Sequence, residues 1–203
     1  MYFYSRVERL LALVAVTMLA LSGCRDSKND SLEFFFTDIT GANFARQFEL
    51  DGPDGRRVSL EDFRNHVVAV FFGFTHCPDV CPTTLADLNV VADLLGEKSD
   101  RFKVAFITVD PSRDQPELLK KYVSAFNHNF VGLTGSPEEI SRTAKEFRVT
   151  YQRVEGQSPT TYSVDHTAAT FIFDKQGLVR LFVPYGADPS KIAMDVERLL
   201  DLD

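Results

Sequence analysis

Cys77 and Cys81 lie four residues apart in Gly73-Phe74-Thr75-His76-Cys77-Pro78-Asp79-Val80-Cys81-Pro82. Two cysteines at this spacing can close a disulfide and exchange electrons with another thiol pair, or hold a soft metal ion as two thiolates. Pro82 suits the first turn of a helix, and Pro78 restrains the loop before it. A helix beginning there aims unpaired N–H groups and the positive end of its dipole at the sulfurs, which favours thiolate. His166 is the third donor to consider. Two thiolates and one imidazole suit Cu(I), and Cu(II) when water or another donor completes the shell, whereas a structural zinc asks for a fourth protein ligand. Asp79 in the loop, Asp165 beside the histidine and Asp110 at the end of a later apolar run are candidates to orient His166 or its loop from behind. Asp114 reads as a cap of the following helix. His76 adds either a further donor or a positive charge next to Cys77.

These residues act together only if strands and helices converge on them. Val67-Val68-Ala69-Val70-Phe71-Phe72, directly before the cysteine segment, is a continuous apolar run and predicts a strand buried on both faces. Leu85, Leu88, Val91, Ala92 and Leu95 follow at helical spacing, closed by Gly96. A second buried strand is expected over about 104–109, a helix over 117–125, a short strand over 130–133 and a helix from Ser136 to about Phe147. Asp51-Gly52-Pro53-Asp54-Gly55 separates two short extended segments and predicts a hairpin over 47–59. A second hairpin is expected where Asp174-Lys175-Gln176-Gly177 divides Thr170–Phe173 from Leu178–Phe182, with a last helix from Pro189 to about Leu200. The order predicts an α/β domain over 33–203: a thioredoxin-like mixed sheet flanked by helices, with an N-terminal β-hairpin. In such a sheet the segment before Ala169 lies beside the dithiol loop, which is where His166 would meet the cysteines. Thioredoxin-type enzymes carry Cys-x-x-Cys and a proline on the facing strand. Here the cysteines are separated by three residues, and Thr167-Ala168-Ala169-Thr170 holds no proline, which favours metal binding over fast disulfide exchange.

The N-terminus reads as an address. Arg6 and Arg9 precede 12 apolar or small residues, Leu10–Leu21. As a helix this run is about 18 Å long, short of the roughly 30 Å hydrocarbon core of a bilayer, and it suits an export signal over 1–23. Leu21-Ser22-Gly23-Cys24 resembles the bacterial lipobox, which makes Cys24 the expected lipidated first residue of the mature chain, and residues 24–32 a polar tether. Export places the domain in the periplasm, with the outer face of the cytoplasmic membrane favoured.

Lys and Arg number 22 against 29 Asp and Glu, a net charge of −7, so this surface does not attract nucleic-acid phosphates. Hydrophobic residues make up 44% of the chain, enough for a real core, and a monomer is the default state.

Val70–Leu85 as a whole resembles the signature of the Sco/SenC copper-delivery family. Val109-Asp110-Pro111-Ser112-Arg113-Asp114, Phe130–Gly135 and Asp165-His166-Thr167 are similar to it as well. The resemblance spans about 40–200. It implies a thioredoxin-like domain tethered at a membrane, with copper held by Cys77, Cys81 and His166. It also implies a role in assembling the dinuclear copper centre on subunit II of cytochrome c oxidase. The dithiol leaves two other readings open: a membrane-tethered thiol–disulfide oxidoreductase with Cys77 attacking and Cys81 resolving, and a peroxidase working through a sulfenic acid at Cys77.

Overall fold

Seven consecutive buried residues, Val67–Gly73, form the strand on which the molecule is built. In the computed structural model, which describes residues 33–156 and 161–202, this strand (β4) is central in a six-stranded sheet. The export signal, Cys24 and the tether expected over 24–32 lie outside the described residues. Phe34–Asp203 forms one compact unit.

In chain order the strands are β1 (Thr37–Asp38), β2 (Glu49–Asp51), β3 (Arg57–Ser59), β4, β5 (Phe102–Thr108), β6 (Phe130–Leu133), β7 (Tyr151–Glu155), β8 (Tyr162–His166), β9 (Ala169–Phe173) and β10 (Val179–Pro184). The helices are α1 (Val80–Leu94), α2 (Pro116–Ser124), α3 (Pro137–Glu146) and α4 (Pro189–Asp201). The main sheet runs β1-β10-β9-β4-β5-β6. β4, β5 and β6 are parallel, while β9, β10 and β1 pair antiparallel, which makes the sheet mixed as expected. The expected N-terminal hairpin is β2–β3, joined by a one-turn 3-10 helix at Pro53–Gly55. Asp54 and Gly55 both take positive φ there, which is why this turn carries an Asp-Gly pair.

Helix starts follow their caps. α3 opens with the reciprocal capping box of Ser136 and Glu139, and α4 with Asp188 accepting the Ser190 N–H. In the core Phe147 packs edge to face on Phe72 at 5.2 Å and on Phe171 at 5.5 Å, and tilted against Phe173 at 6.0 Å. One element has no counterpart among the sequence expectations. β7 and β8 form a separate two-stranded antiparallel hairpin, and His166 is the last residue of β8.

Candidate metal centre

The pairing register decides which segments meet. β4 and β9 pair Phe71 with Thr170, and continuing that register sets Ala168 beside Gly73. The end of β4, the start of α1 and the β8–β9 link therefore converge at one end of the central strands. Cys81 sits in the first turn of α1 and is fully buried; Cys77, in the loop before it, is half-buried. The Cys81 N–H points at the Cys77 sulfur at 3.4 Å. His166 Nε2 lies 3.6 Å from the Cys81 Sγ. One donor atom from each of the three residues falls within 4.8 Å of the others. Donors to a shared soft ion sit at about 2.0–2.3 Å from it, so this spacing fits one ion with little movement.

The electrostatics suit that use. Burial holds the His166 imidazole below its ordinary pKa, so the ring is neutral and its Nε2 is free to donate a lone pair. The other ring nitrogen faces the Thr167 carbonyl at 3.2 Å, which selects the tautomer with hydrogen on Nδ1. Burial, first of all, pushes the Cys81 thiol well above the usual thiol range; in the metal-free protein it is a protonated, shielded thiol. Phe71 and Phe74 stand edge-on to the imidazole at 6.1 and 6.0 Å and keep water from that side. A groove of about 290 Å³ leads in from solvent between the cysteine loop (Cys77, Pro78, Asp79) and β8 (Ser163, Asp165).

Of the aspartates expected to orient the site, Asp79 is exposed and receives the Thr83 hydroxyl at 3.3 Å. Asp165 is also exposed, and the histidine takes its orientation from the Thr167 backbone instead. Asp110 is buried and binds the Tyr162 hydroxyl and Arg113, not the imidazole. Asp114 corrects its expectation: Gln115 occupies the cap position of α2, while the Asp114 side chain reaches back to Thr75. The His76 ring is largely exposed and hydrogen-bonds Thr75 Oγ1 through Nδ1 at 3.0 Å. Gly73 went unnoticed in the sequence although a glycine ending an apolar strand marks close approach. A Cβ there would lie 2.8 Å from both the Cys81 sulfur and the Phe106 ring.

The family description SCO1/SenC matches residues 37–201. The chain belongs to the SCO1/SenC family. Among its relatives, the SCO2-like protein RP587 of Rickettsia prowazekii is 37% identical over 131 residues, 64% of each chain. The match therefore spans less than two thirds of that relative. The structure of Bradyrhizobium japonicum ScoI with copper bound superposes at a TM-score of 0.71 with 33% identity, covering 77% of this SCO1/SenC chain and 99% of the other. Arabidopsis thaliana ScoI with copper bound gives 0.72 with 33% identity, covering 78% and 98%. The fold of this SCO1/SenC protein is thus thioredoxin-like, with the additional β7–β8 hairpin set beside the dithiol. Among the described residues no helix is long and apolar enough to cross a membrane.

Proposed function

We propose that this SCO1/SenC protein is a copper chaperone. It takes up copper, as Cu(I) or Cu(II), on Cys77, Cys81 and His166 and passes it to the dinuclear copper centre of cytochrome c oxidase subunit II. The observation that carries this reading is the convergence of two sulfurs and a neutral imidazole within 4.8 Å at the shielded end of the central strand. Two thiolates and an imidazole are the donor set that copper prefers. The copper-bound ScoI structures from Bradyrhizobium japonicum and Arabidopsis thaliana support it. In the same reading residues 1–23 are an export signal and Cys24 carries the lipid. The monomeric domain then works in the periplasm at the outer face of the cytoplasmic membrane, close to an integral membrane oxidase.

Copper stoichiometry and absorption spectra of the reduced protein, beside its His166→Ala form, test the site. One copper per chain with sulfur-to-copper charge-transfer bands, weakened or lost in the variant, is expected; equal binding by the variant removes His166 from the ligand set. Incorporation of radiolabelled palmitate into the full chain, and its loss in Cys24→Ala, tests the anchor.

One asymmetry favours a second, reductive activity: Cys77 is half-exposed while Cys81 is fully buried. A Cys77 thiolate can attack a target disulfide, expel one target thiolate, and be resolved by Cys81. The target gains two thiols and this chain closes Cys77–Cys81. Reduction of a target's cysteines before copper loading would use the same dithiol twice.

A further inference from the structure

The two halves of the metal site come from different parts of the fold. The cysteine loop, residues 74–79, lies between β4 and α1, and His166 ends a hairpin that belongs to a different sheet. Both touch one segment, the turn that follows β5. We propose that Val109–Asp114 is a single brace that positions the two halves of the site relative to each other, Asp114 setting the cysteine loop and the Asp110–Arg113 pair setting the histidine strand.

The Asp114 carboxylate is completely buried, and its nearest cationic candidate is the His76 ring at 3.9 Å, itself half-exposed. A buried carboxylate is costly unless hydrogen bonds take up its oxygens. Three do: the Thr75 N–H at 3.0 Å, the Thr75 hydroxyl at 2.6 Å and the Thr108 hydroxyl at 2.7 Å. Two of the three come from the residue two positions before Cys77, so the loop is tied by its backbone as well as by a side chain. Thr108 closes the arrangement, since its oxygen also accepts the Asp110 N–H at 2.9 Å. The turn is bound to itself by the Arg113 and Asp114 N–H groups, both donating to the Asp110 carbonyl.

Its other end grips β8. Asp110 is buried, accepts the Tyr162 hydroxyl at 2.8 Å and pairs with Arg113 Nε. Arg113 donates from Nη1 to the Tyr162 carbonyl at 3.1 Å, and its guanidinium stacks 3.6 Å from the centre of the Tyr162 ring. The same guanidinium reaches the Phe74 ring at 5.8 Å, and Phe74 contacts the His166 ring. Tyr162, Val164 and His166 share one face of β8 because side chains alternate along a strand. Fixing Tyr162 therefore fixes the rotation of the strand about its axis, and with it the direction of the imidazole. None of Asp110, Arg113 and Asp114 is placed among the metal-binding donors; they are positioning residues.

The brace rests on the metal-binding reading of the site, but its two ends are separable without metal. The test uses Asp114→Asn and Tyr162→Phe in the otherwise unaltered protein. Asparagine turns one acceptor oxygen into an amide donor facing other donors, which frees the cysteine loop. The sulfurs are then less well held for bonding. The expected result is a shift of the dithiol–disulfide equilibrium of Cys77 and Cys81 with glutathione, about tenfold toward the dithiol and close to 30 mV. The His166 ring resonances in the metal-free protein should stay near wild type. Tyr162→Phe should give the converse: moved or broadened His166 ring resonances and a wild-type dithiol equilibrium. Each should lower copper affinity about tenfold. Thr75→Val, which removes one of the three donors to Asp114, should repeat the Asp114→Asn effect in weaker form and serves if the asparagine variant does not fold. Wild-type values of both metal-free readouts in the variants overturn the proposal. So does a pair of variants that disturb both readouts alike, since that is general destabilisation rather than two separate grips. If the wild-type protein binds no copper, the copper reading fails, while the two metal-free readouts still decide the brace.

Discussion

The two arms of the metal centre are built to different standards. The cysteine arm is the end of β4, flanked by paired strands on both sides and buried along its whole length, followed by the 15-residue helix α1. The histidine arm is a two-stranded hairpin whose outer strand β7 is exposed at four of its five positions. An isolated two-stranded ribbon is marginal in water, and this one depends on Val164, on the Thr150–Thr167 bonds and on the ties from Asp110 and Arg113. The difference shows how a transfer site can be organised: two sulfurs on a rigid base, and a third donor on an element that costs less to displace.

The largest effect should come from hollowing the base. Phe71 is almost fully buried between Phe106 and the His166 ring, so Phe71→Ala should cost about 3–5 kcal/mol and melt the protein many degrees lower by calorimetry. Gly73→Ala, which adds a Cβ where the Cys81 sulfur and the Phe106 ring already sit at 2.8 Å, should cost about 1–3 kcal/mol. It should also displace Cys81, read as altered sulfur-to-copper bands in the copper-loaded protein. On the other arm Val164→Ala should cost only about 1–2 kcal/mol. By hydrogen exchange its effect should be confined to β7 and β8, whose amides should already exchange faster than those of β4 and β5. Equal protection of the two arms in the wild-type protein would remove the contrast.

The smallest effects should appear with pH in the metal-free, reduced protein, and they should have opposite signs for the two arms. The folded-state pKa of His166 is depressed below 6.5 by burial, so an unfolded chain binds that proton first. Stability is therefore intact above about pH 6.5 and is lost as the pH falls below it. The folded-state pKa of Cys81 is raised above 9.0, so its contribution is intact below pH 9 and is lost as the pH rises further. Denaturation midpoints across pH should show both slopes. His166→Gln should flatten only the acid side, and Cys81→Ser only the alkaline side.

Much of the base was legible. The unbroken apolar run Val67–Phe72 reads as a strand covered on both faces, and the periodic Leu85, Leu88 and Val91 as a helix packed on it, and both formed. The cysteine spacing and prolines between them located the junction. The histidine arm was less legible because β7 places one large aliphatic residue, Val154, in solvent and so lacks the alternation that marks a half-buried strand. Asp114 was misread for a related reason. An aspartate just before a helix suits a cap equally well, and its actual partner Thr75 is 39 residues away.

The sequence by itself determined the donor types, the strand and helix that flank the cysteine loop, and the order of layers, because these follow from side-chain chemistry and from local periodicity. Only the tertiary structure decided that His166 reaches the cysteines through Nε2, 3.6 Å from the Cys81 sulfur, that the Thr167 carbonyl rather than an aspartate orients the ring, and that one turn after β5 reaches both arms. Those are contacts between segments far apart in the chain, set by strand register and burial, and no local pattern encodes them.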